Sequence, residues 1–310
     1  MFYKISVIVP TLTNEEGVRY LINYFKEKKE YQIIIIQNAK VKSQNENLKF
    51  KINNRNIVYL PQERNLGYAR ANNLGAKYAK AEWLLLLNDD IKFKIQNSNL
   101  KSQNDNLKLK IVKNPINELL KIAKENNLDA VAPILINPDG SVENYGYRVM
   151  EIGKIELVTK NFIPLDTVFS RRLHPLKGGP PSHRLRKQVS SLASYNNLDG
   201  LTAACLLIKR SVFEKLGGFD ESFFAYLEDV DLFLRLKKAG YKFALVPDIV
   251  VFHHHRKTSL KMGCFKQRQD VVNWWRLFFK HPDIIPLSPA FLIERARNVW
   301  GLIKCVMCNV

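Results

Sequence analysis

The chain has 310 residues, 46% of them hydrophobic and 25% charged, with a formal net charge of +19. That length and apolar share suffice to bury one large or two modest cores, which excludes a disordered chain. The basic excess is local: residues 40–51 with 92–113 contribute +8, 171–187 contribute +6 and 256–310 contribute +7, so the remainder nets about −2 and the fold itself is not a basic nucleic-acid binder.

In chain order, Lys4 to Pro10 reads as a buried strand, and Thr13 with Glu16 reads as a capping box ahead of a helix carrying Val18, Leu21, Ile22 and Phe25. Ile33 to Ile36 gives a second strand, which completes the first unit of a parallel α/β sheet. Lys42 to Ile52 then recurs almost unchanged as Lys101 to Ile111, two Lys/Asn/Gln-rich copies that read as low-complexity inserts at about 40–56 and 92–113. Ile57 to Leu60 is a third strand, and Arg64 to Gly67 turns into a helix with small residues at Ala69, Ala71 and Ala76.

Trp83 to Leu87 has apolar residues on both strand faces, which only a sheet covered on each side can bury, so it reads as a central parallel strand. Its carboxyl end delivers Asn88, Asp89 and Asp90 into the crevice where open α/β sheets bind ligands. Carboxyl oxygens there suit a hard divalent cation shared with substrate phosphates, and the bland alternative is a solvated Asp-rich turn.

Ile116 to Ala123 is a further helical stripe, Ala130 to Ile134 a strand and Asn137 to Gly140 a tight turn. Residues 161–198 lose periodicity and read as a long loop of the kind that forms lids or binding surfaces. Leu201 to Ile208 is expected as a strand, Ser211 with Glu214 as a second capping box, and Gly217-Gly218 as a stop. Glu228, Asp229 and Asp231 then open a helix. Acids in a first turn complement the helix dipole, yet three beside so many aromatics exceed that need, and a partly desolvated carboxylate suits a general base. Phe243 to Phe252 is a strand interrupted at Pro247-Asp248 and followed by His253, His254 and His255, which alternate between faces.

Cys205, Cys264, Cys305 and Cys308 follow no disulfide-framework spacing, and the start of the chain runs directly into a strand, so the expected setting is reducing and cytoplasmic; Cys305 and Cys308 form a CxxC with no second ligand pair for zinc and read as buried or free thiols. In the tail, Trp274, Trp275, Leu277, Phe278 and Phe279 alternate with Arg268, Arg276 and Lys280. Charges interrupt every candidate span, which leaves a helix lying on an anionic membrane surface, on the inner face of the plasma membrane, or a helix closing the domain.

Ser6 to Pro10, Asn65-Leu66-Gly67 with Asn72-Asn73, Leu84 to Asp90, Asp199 to Cys205, Gly217 to Glu221, Glu228 to Asp231 and the histidines occur in the order and spacing that resemble the inverting nucleotide-sugar glycosyltransferases of family 2, above all their rhamnosyltransferase-like members. The resemblance covers about residues 4–260. It implies a GT-A fold: an α/β architecture with a mostly parallel Rossmann-like sheet flanked by helices, forming one catalytic domain at 1–263 with an amphipathic helical tail at 264–310. It further implies metal-dependent transfer of a hexosyl or rhamnosyl group to a hydroxyl of a glycan or lipid-linked acceptor, in cell-surface polysaccharide synthesis. By position, Asp229 is the implied catalytic base with Glu228 beside it. Asp90 and His254 are the implied ligands of Mg²⁺ or Mn²⁺. Pro10, Thr11, Asn38, Asn65, Gly67, Asn72, Asn88 and Asp89 are the implied contacts of the nucleotide-sugar donor. Two departures stand out: Gln37-Asn38 replaces the usual acid after the second strand, and Asn88 replaces the first acid of the DxD-like motif. The alternatives are a nucleotide-sugar-binding protein with impaired catalysis, or a nucleotidyltransferase, which would want a Gly-rich basic phosphate loop that Pro10 to Gly17 does not offer.

Overall fold

The computed structural model describes residues 3–38, 55–93, 114–139, 141–144, 146–158, 198–254 and 263–308. Both copies of the repeat, the loop at 161–198 apart from its last residue, Gly140 and His255 lie outside the described residues. The first half comprises β1 (Ile5–Thr11), α1 (Glu15–Phe25), β2 (Tyr31–Gln37), β3 (Ile57–Pro61), α2 (Tyr68–Lys77), β4 (Trp83–Leu87) and β5 (Ile91–Lys92). Next come α3 (Pro115–Glu125), β6 (Ala130–Ile136), β7 (Val142–Asn144), β8 (Tyr147–Met150) and β9 (Lys154–Leu157). Last are β10 (Cys205–Lys209), α4 (Arg210–Lys215), α5 (Glu228–Lys238), β11 (Phe243–His253), α6 (Phe265–Lys280) and α7 (Pro289–Cys308).

Nine strands form one sheet in the order β3-β2-β1-β4-β10-β6-β11-β5, with β7 on β6, while β8 and β9 form a separate hairpin. The apolar run of β4 is explained by two-sided burial: Leu85 and Leu87 belong to one core cluster, Leu84 and Leu86 to the one on the opposite face. The expectation of an all-parallel neighbourhood for β4 is corrected on one edge. β1 runs parallel to it, but β10 runs antiparallel, with Cys205 opposite Leu87. The reason is local: residues 201–204 re-enter at the end where β4 finishes, so the strand that follows must run back along it.

Four smaller expectations shift. Asn14, rather than Thr13, caps α1, its side chain accepting from Gly17 N. No side chain caps α4, and Glu214 instead lies 3.2 Å from Arg210 along the helix. Leu201 to Ala204 is not strand; β10 begins at Cys205. β11 is unbroken across Pro247-Asp248, because an irregularity between Val246 and Val250 absorbs the proline, which has no N–H to give the ladder.

The tail shares its core with the rest of the chain. Trp274 and Leu277 of α6 and Phe291 of α7 pack with Leu227, Val230 and Leu234 at α5 and with Tyr147 of β8. Arg295, buried on α7, donates to Gly153 O at 2.5 Å in the β8–β9 turn, where φ of +67° favours glycine and a Cβ would strike Phe291. The expectation that no disulfide forms, with Cys305 a buried or free thiol, is corrected too: Cys264, just before α6, forms a disulfide with Cys305 on α7 at a Cα separation of 5.7 Å. The pair is 41 residues apart in sequence, and only the antiparallel packing of α6 on α7 brings the sulfurs together. Cys205 is buried and Cys308 exposed, both as free thiols.

Candidate active site

The site assembles where β1, β2 and β4 end and α5 begins. Thr11, last in β1, donates its hydroxyl to Asp89 Oδ2 at 2.5 Å, and Asn14 Nδ2 donates to Asp89 O at 2.9 Å. Gly17 has no room for a Cβ, which would sit 1.8 Å from Asp89 O, so the first turn of α1 closes directly on the Asn88-Asp89-Asp90 turn. At the end of β2, Asn38 Nδ2 donates to Asn65 Oδ1 (3.0 Å) and Gly67 O (3.1 Å), and its Oδ1 accepts from Leu66 N (2.8 Å). Asn38, Asn65 and Gly67 are therefore one clasp ahead of α2. Gln37 donates to Leu12 O at 2.7 Å and is buried, so at the position of the usual acid it braces the backbone after β1. Pro10 is half-buried in β1, opposite Ile36 of β2.

A continuous set of contacts then joins β4 to α5. Asn88 N donates to Ala204 O at 2.9 Å, Tyr68 OH donates to Ala203 O at 2.9 Å, and Ala203 N donates to Asp229 Oδ2 at 3.3 Å. Tyr68 is half-buried against the core. Burial, followed by the charges of Glu228 and Asp229 and, more weakly, Asp90, pushes its phenol well above the ordinary value. Asn72 is buried on α2 and donates to Tyr68 O at 3.0 Å. Its neighbour Asn73 holds both N and O of Phe219, at 2.9 and 2.8 Å, and that accounts for the Asn73 and Gly217-Gly218-Phe219 motifs as two halves of a structural clasp.

The two acids at the start of α5 differ. Glu228 is only 7% exposed, and its Oε2 has no hydrogen-bond partner. Asp229 accepts from Ala203 N and from Val230 N (2.9 Å). Burial raises both carboxyls. The negative charge of Asp229 raises Glu228 further, whereas the backbone N–H groups hold Asp229 back, so a proton shared by the pair favours Glu228. Asp231, the third acid, faces the other way, toward Arg235, Lys280 and His281.

At β4's end, the imidazole set against Asp90 is that of His253. Its Nε2 lies 3.1 Å from Asp90 Oδ1 and its Nδ1 2.8 Å from Glu143 Oε2. Burial opposes its charge, but the two carboxylates outweigh burial and raise it to about 9, so His253 is an imidazolium that fixes the Asp90 carboxylate. His254, the histidine singled out in the sequence, meets Asp90 through the main chain, its N donating to Asp90 O at 2.9 Å. Glu143 carried no sequence signal, and its role depends on the β6–β7 hairpin.

Among the described residues no group of three or more His, Cys, Asp or Glu could by itself hold a metal. The fit to a divalent cation rests on hard oxygens: Asn88 Oδ1 is buried without a hydrogen-bond partner beside the carboxylate of Asp90. One or two protein oxygens are what a cation completed by substrate phosphates requires.

The family model for Glycosyl transferase family 2 matches residues 6–96, and that for Glycosyltransferase like family 2 matches residues 189–274. The chain belongs to glycosyltransferase family 2. The two matched stretches contain, respectively, the turn after β4 and the start of α5. The chain is 26% identical over 259 residues to the O-antigen biosynthesis protein RfbC of Myxococcus xanthus, covering 81% of this chain and 17% of that protein. It is 34% identical over 127 residues to the N-acetylglucosaminyl-diphospho-decaprenol L-rhamnosyltransferase of Mycobacterium tuberculosis, covering 40% and 37%. The chain thus spans well under half the length of these curated relatives. The mannosyltransferase PcManGT of Pyrobaculum calidifontis, solved in complex with GDP-Man and Mn²⁺, superposes with a TM-score of 0.55 at 13% identity, over 99% of this chain and 74% of that one. The family 2 chain has the GT-A fold, with its sheet, flanking helices and C-terminal helical region.

Proposed function

We propose that this family 2 chain is an inverting glycosyltransferase, moving a hexosyl or rhamnosyl group from a nucleotide-sugar donor to a hydroxyl of a glycan or lipid-linked acceptor in polysaccharide synthesis. The observation that carries the reading is the unequal pair at the start of α5, which faces the turn after β4 across Tyr68 and residues 201–204. The names of the relatives, a rhamnosyltransferase and an O-antigen biosynthesis protein, support the transferred group and the setting. The neighbour with GDP-Man and Mn²⁺ supports a donor and cation of that kind.

In the mechanism, Asp229 accepts the proton of the acceptor hydroxyl as its oxygen bonds to the anomeric carbon, and the bond from that carbon to the diphosphate breaks with its electron pair leaving on the nucleoside diphosphate. Glu228, kept neutral by burial and by the charge beside it, leaves Asp229 as the acceptor of the proton. Tyr68 and the backbone at Ala203 hold the Asp229 side of the site. Thr11 and Asp89, joined by a hydrogen bond, close the donor side. Asn88 and Asp90 would hold a divalent cation, with His253 steadying Asp90 and His254 close by through its main chain. Such a cation acts as a Lewis acid that neutralises the leaving diphosphate.

The test is nucleoside diphosphate release from a panel of nucleotide sugars. Asp229→Asn should lower turnover by at least about a hundredfold, the low end of a general base's contribution, with donor binding kept. Turnover of the wild type should fall as pH drops through the raised pKa of Asp229. A damaging Glu228→Gln beside a near-normal Asp229→Asn would refute the assignment.

A further inference from the structure

Two residues with left-handed backbone precede the acid pair: Tyr226 and Leu227, each with φ of +67°. Side chains of this size rarely adopt that conformation, and two in succession persist only where the surroundings impose it. Neither is glycine, and Leu227, the N-cap of α5, offers no side-chain cap.

The imposing group comes from the tail, about 47 residues later in sequence. Asn273 of α6 has no solvent exposure, and its Nδ2 donates to both Ala225 O (2.8 Å) and Tyr226 O (2.7 Å). Its Oδ1 accepts from Arg276 Nη1 at 2.8 Å, which fixes the orientation of the amide. Phe265, at the start of the same helix, packs its ring against Phe224 and Tyr226, with centroids 5.7 and 6.3 Å apart. The disulfide from Cys264 to Cys305 anchors that end of α6 on α7. Leu227 itself is buried against Trp274 and Leu277. A buried amide that spends both N–H groups on consecutive carbonyls of one turn specifies the conformation of that turn.

We propose that Asn273 is a positioning residue for the Glu228–Asp229 pair: by clamping the left-handed turn it sets where α5 begins, and so sets the Asp229 carboxylate against Ala203 N. The proposal rests on the glycosyl-transfer reading for its consequence and on the geometry alone for the clamp. It makes the C-terminal helices part of the catalytic apparatus, although none of their residues lies at the turn after β4.

The decisive variant is Asn273→Asp, which keeps the shape but cannot donate to either carbonyl. Leu119→Ala, equally buried but on α3 in a separate part of the core, serves as the control for destabilisation alone. In the full chain, Asn273→Asp should lower kcat at least about tenfold with donor KM within about threefold. It should also move the acid limb of the pH profile upward by about half a unit or more, as expected when one long hydrogen bond to the carboxylate, that from Ala203 N at 3.3 Å, is weakened. Hydrogen exchange at the amides of Leu227 to Asp231 should speed at least about tenfold relative to the control. Asn273→Gln, with its amide restored, should recover part of the limb position. Equal exchange and an unmoved acid limb would overturn the proposal, as would a control that reproduces both effects. If the wild type transfers no sugar from any donor, the functional reading fails, while the exchange measurement still decides the clamp.

Discussion

Replacing Asp231 by Asn tests how the third acid of the Glu228-Asp229-Val230-Asp231 run differs from the first two. Its side chain is fully buried. Oδ2 lies 2.7 Å from Arg235 Nη2, and Oδ1 lies 2.6 Å from Lys280 Nζ and 3.0 Å from His281 Nε2. Burial alone would raise its pKa, but the hydrogen bond from His281, the Arg235 cation and Lys280 together lower it from 3.8 to about 2. A depressed carboxylate contributes stability that is complete above its unfolded value and is lost as pH falls through the folded one. The shift of nearly two units corresponds to roughly 2 kcal/mol at neutral pH, of which about half remains at pH 3. The Asp231→Asn substitution would also leave Arg235 and Lys280 around a neutral amide, for a total cost at pH 7 of about 3 to 5 kcal/mol. Urea unfolding of both proteins between pH 7 and pH 3 should therefore show a stability gap that narrows by about 1 kcal/mol on acidification. A gap that stays constant or widens would refute the ion-pair account and return Asp231 to simple helix-dipole duty.

Transfer should require a divalent cation, and Asp90→Ala should lose metal-dependent donor affinity more than Asn88→Ala does; full activity in excess EDTA would remove the cation from the site. Reducing the Cys264–Cys305 bridge, or replacing both with Ser, should lower stability by up to about 4 kcal/mol on the chain-entropy account for a loop of 41 residues, read as a drop in Tm, and an unchanged Tm would show that packing alone holds α6 on α7. Peripheral binding to an anionic membrane predicts that the intact chain co-sediments with anionic vesicles and that Ile293→Glu with Ile303→Glu releases it; no sedimentation of the intact chain, or equal sedimentation of both, would exclude that surface.

Much of this arrangement was legible in the residues because the physics was local. Trp83 to Leu87 could only be a strand buried on both faces, and a strand of that kind delivers Asn88, Asp89 and Asp90 to a sheet's carboxyl end. The excess of acids over capping need at Glu228 to Asp231 was also a real signal, although it could not say that Asp231 turns toward Lys280 and His281. Nothing local revealed the direction of β10, since a run such as Cys205 to Lys209 reads the same parallel or antiparallel. The His253–Glu143 contact depends on a hairpin bringing together residues 110 apart. The disulfide was hidden for a similar reason, because residue spacing carries no information about which helices lie side by side. Asn273 left no trace at all, since an Asn within an aromatic helix looks like a polar interruption until the carbonyls of Ala225 and Tyr226 are seen to face it.

The tail illustrates why two readings of one sequence need not compete. Its aromatic residues suited either a helix closing the domain or one lying on a membrane. The residues sort by face: Trp274 and Leu277 of α6 and Phe291 and Arg295 of α7 turn inward, whereas Leu292, Ile293, Val299, Trp300, Ile303, Val306 and Met307 stay exposed along one side of α7. These seven fall within one arc of a helix with 3.6 residues per turn, and Arg297 and Lys304 lie along one margin of it. No helix among the described residues is long and apolar enough to cross a membrane, and an arc of this kind is what peripheral binding requires. Cutting the chain at Gly263 would remove that arc together with Asn273 and Trp274, so lost activity or lost vesicle binding in the truncated form could come from either face. Substitutions confined to the outer arc leave Asn273 on its carbonyls and the Cys264–Cys305 bridge intact, and for that reason they can separate a membrane contact from the support that α6 gives to the start of α5.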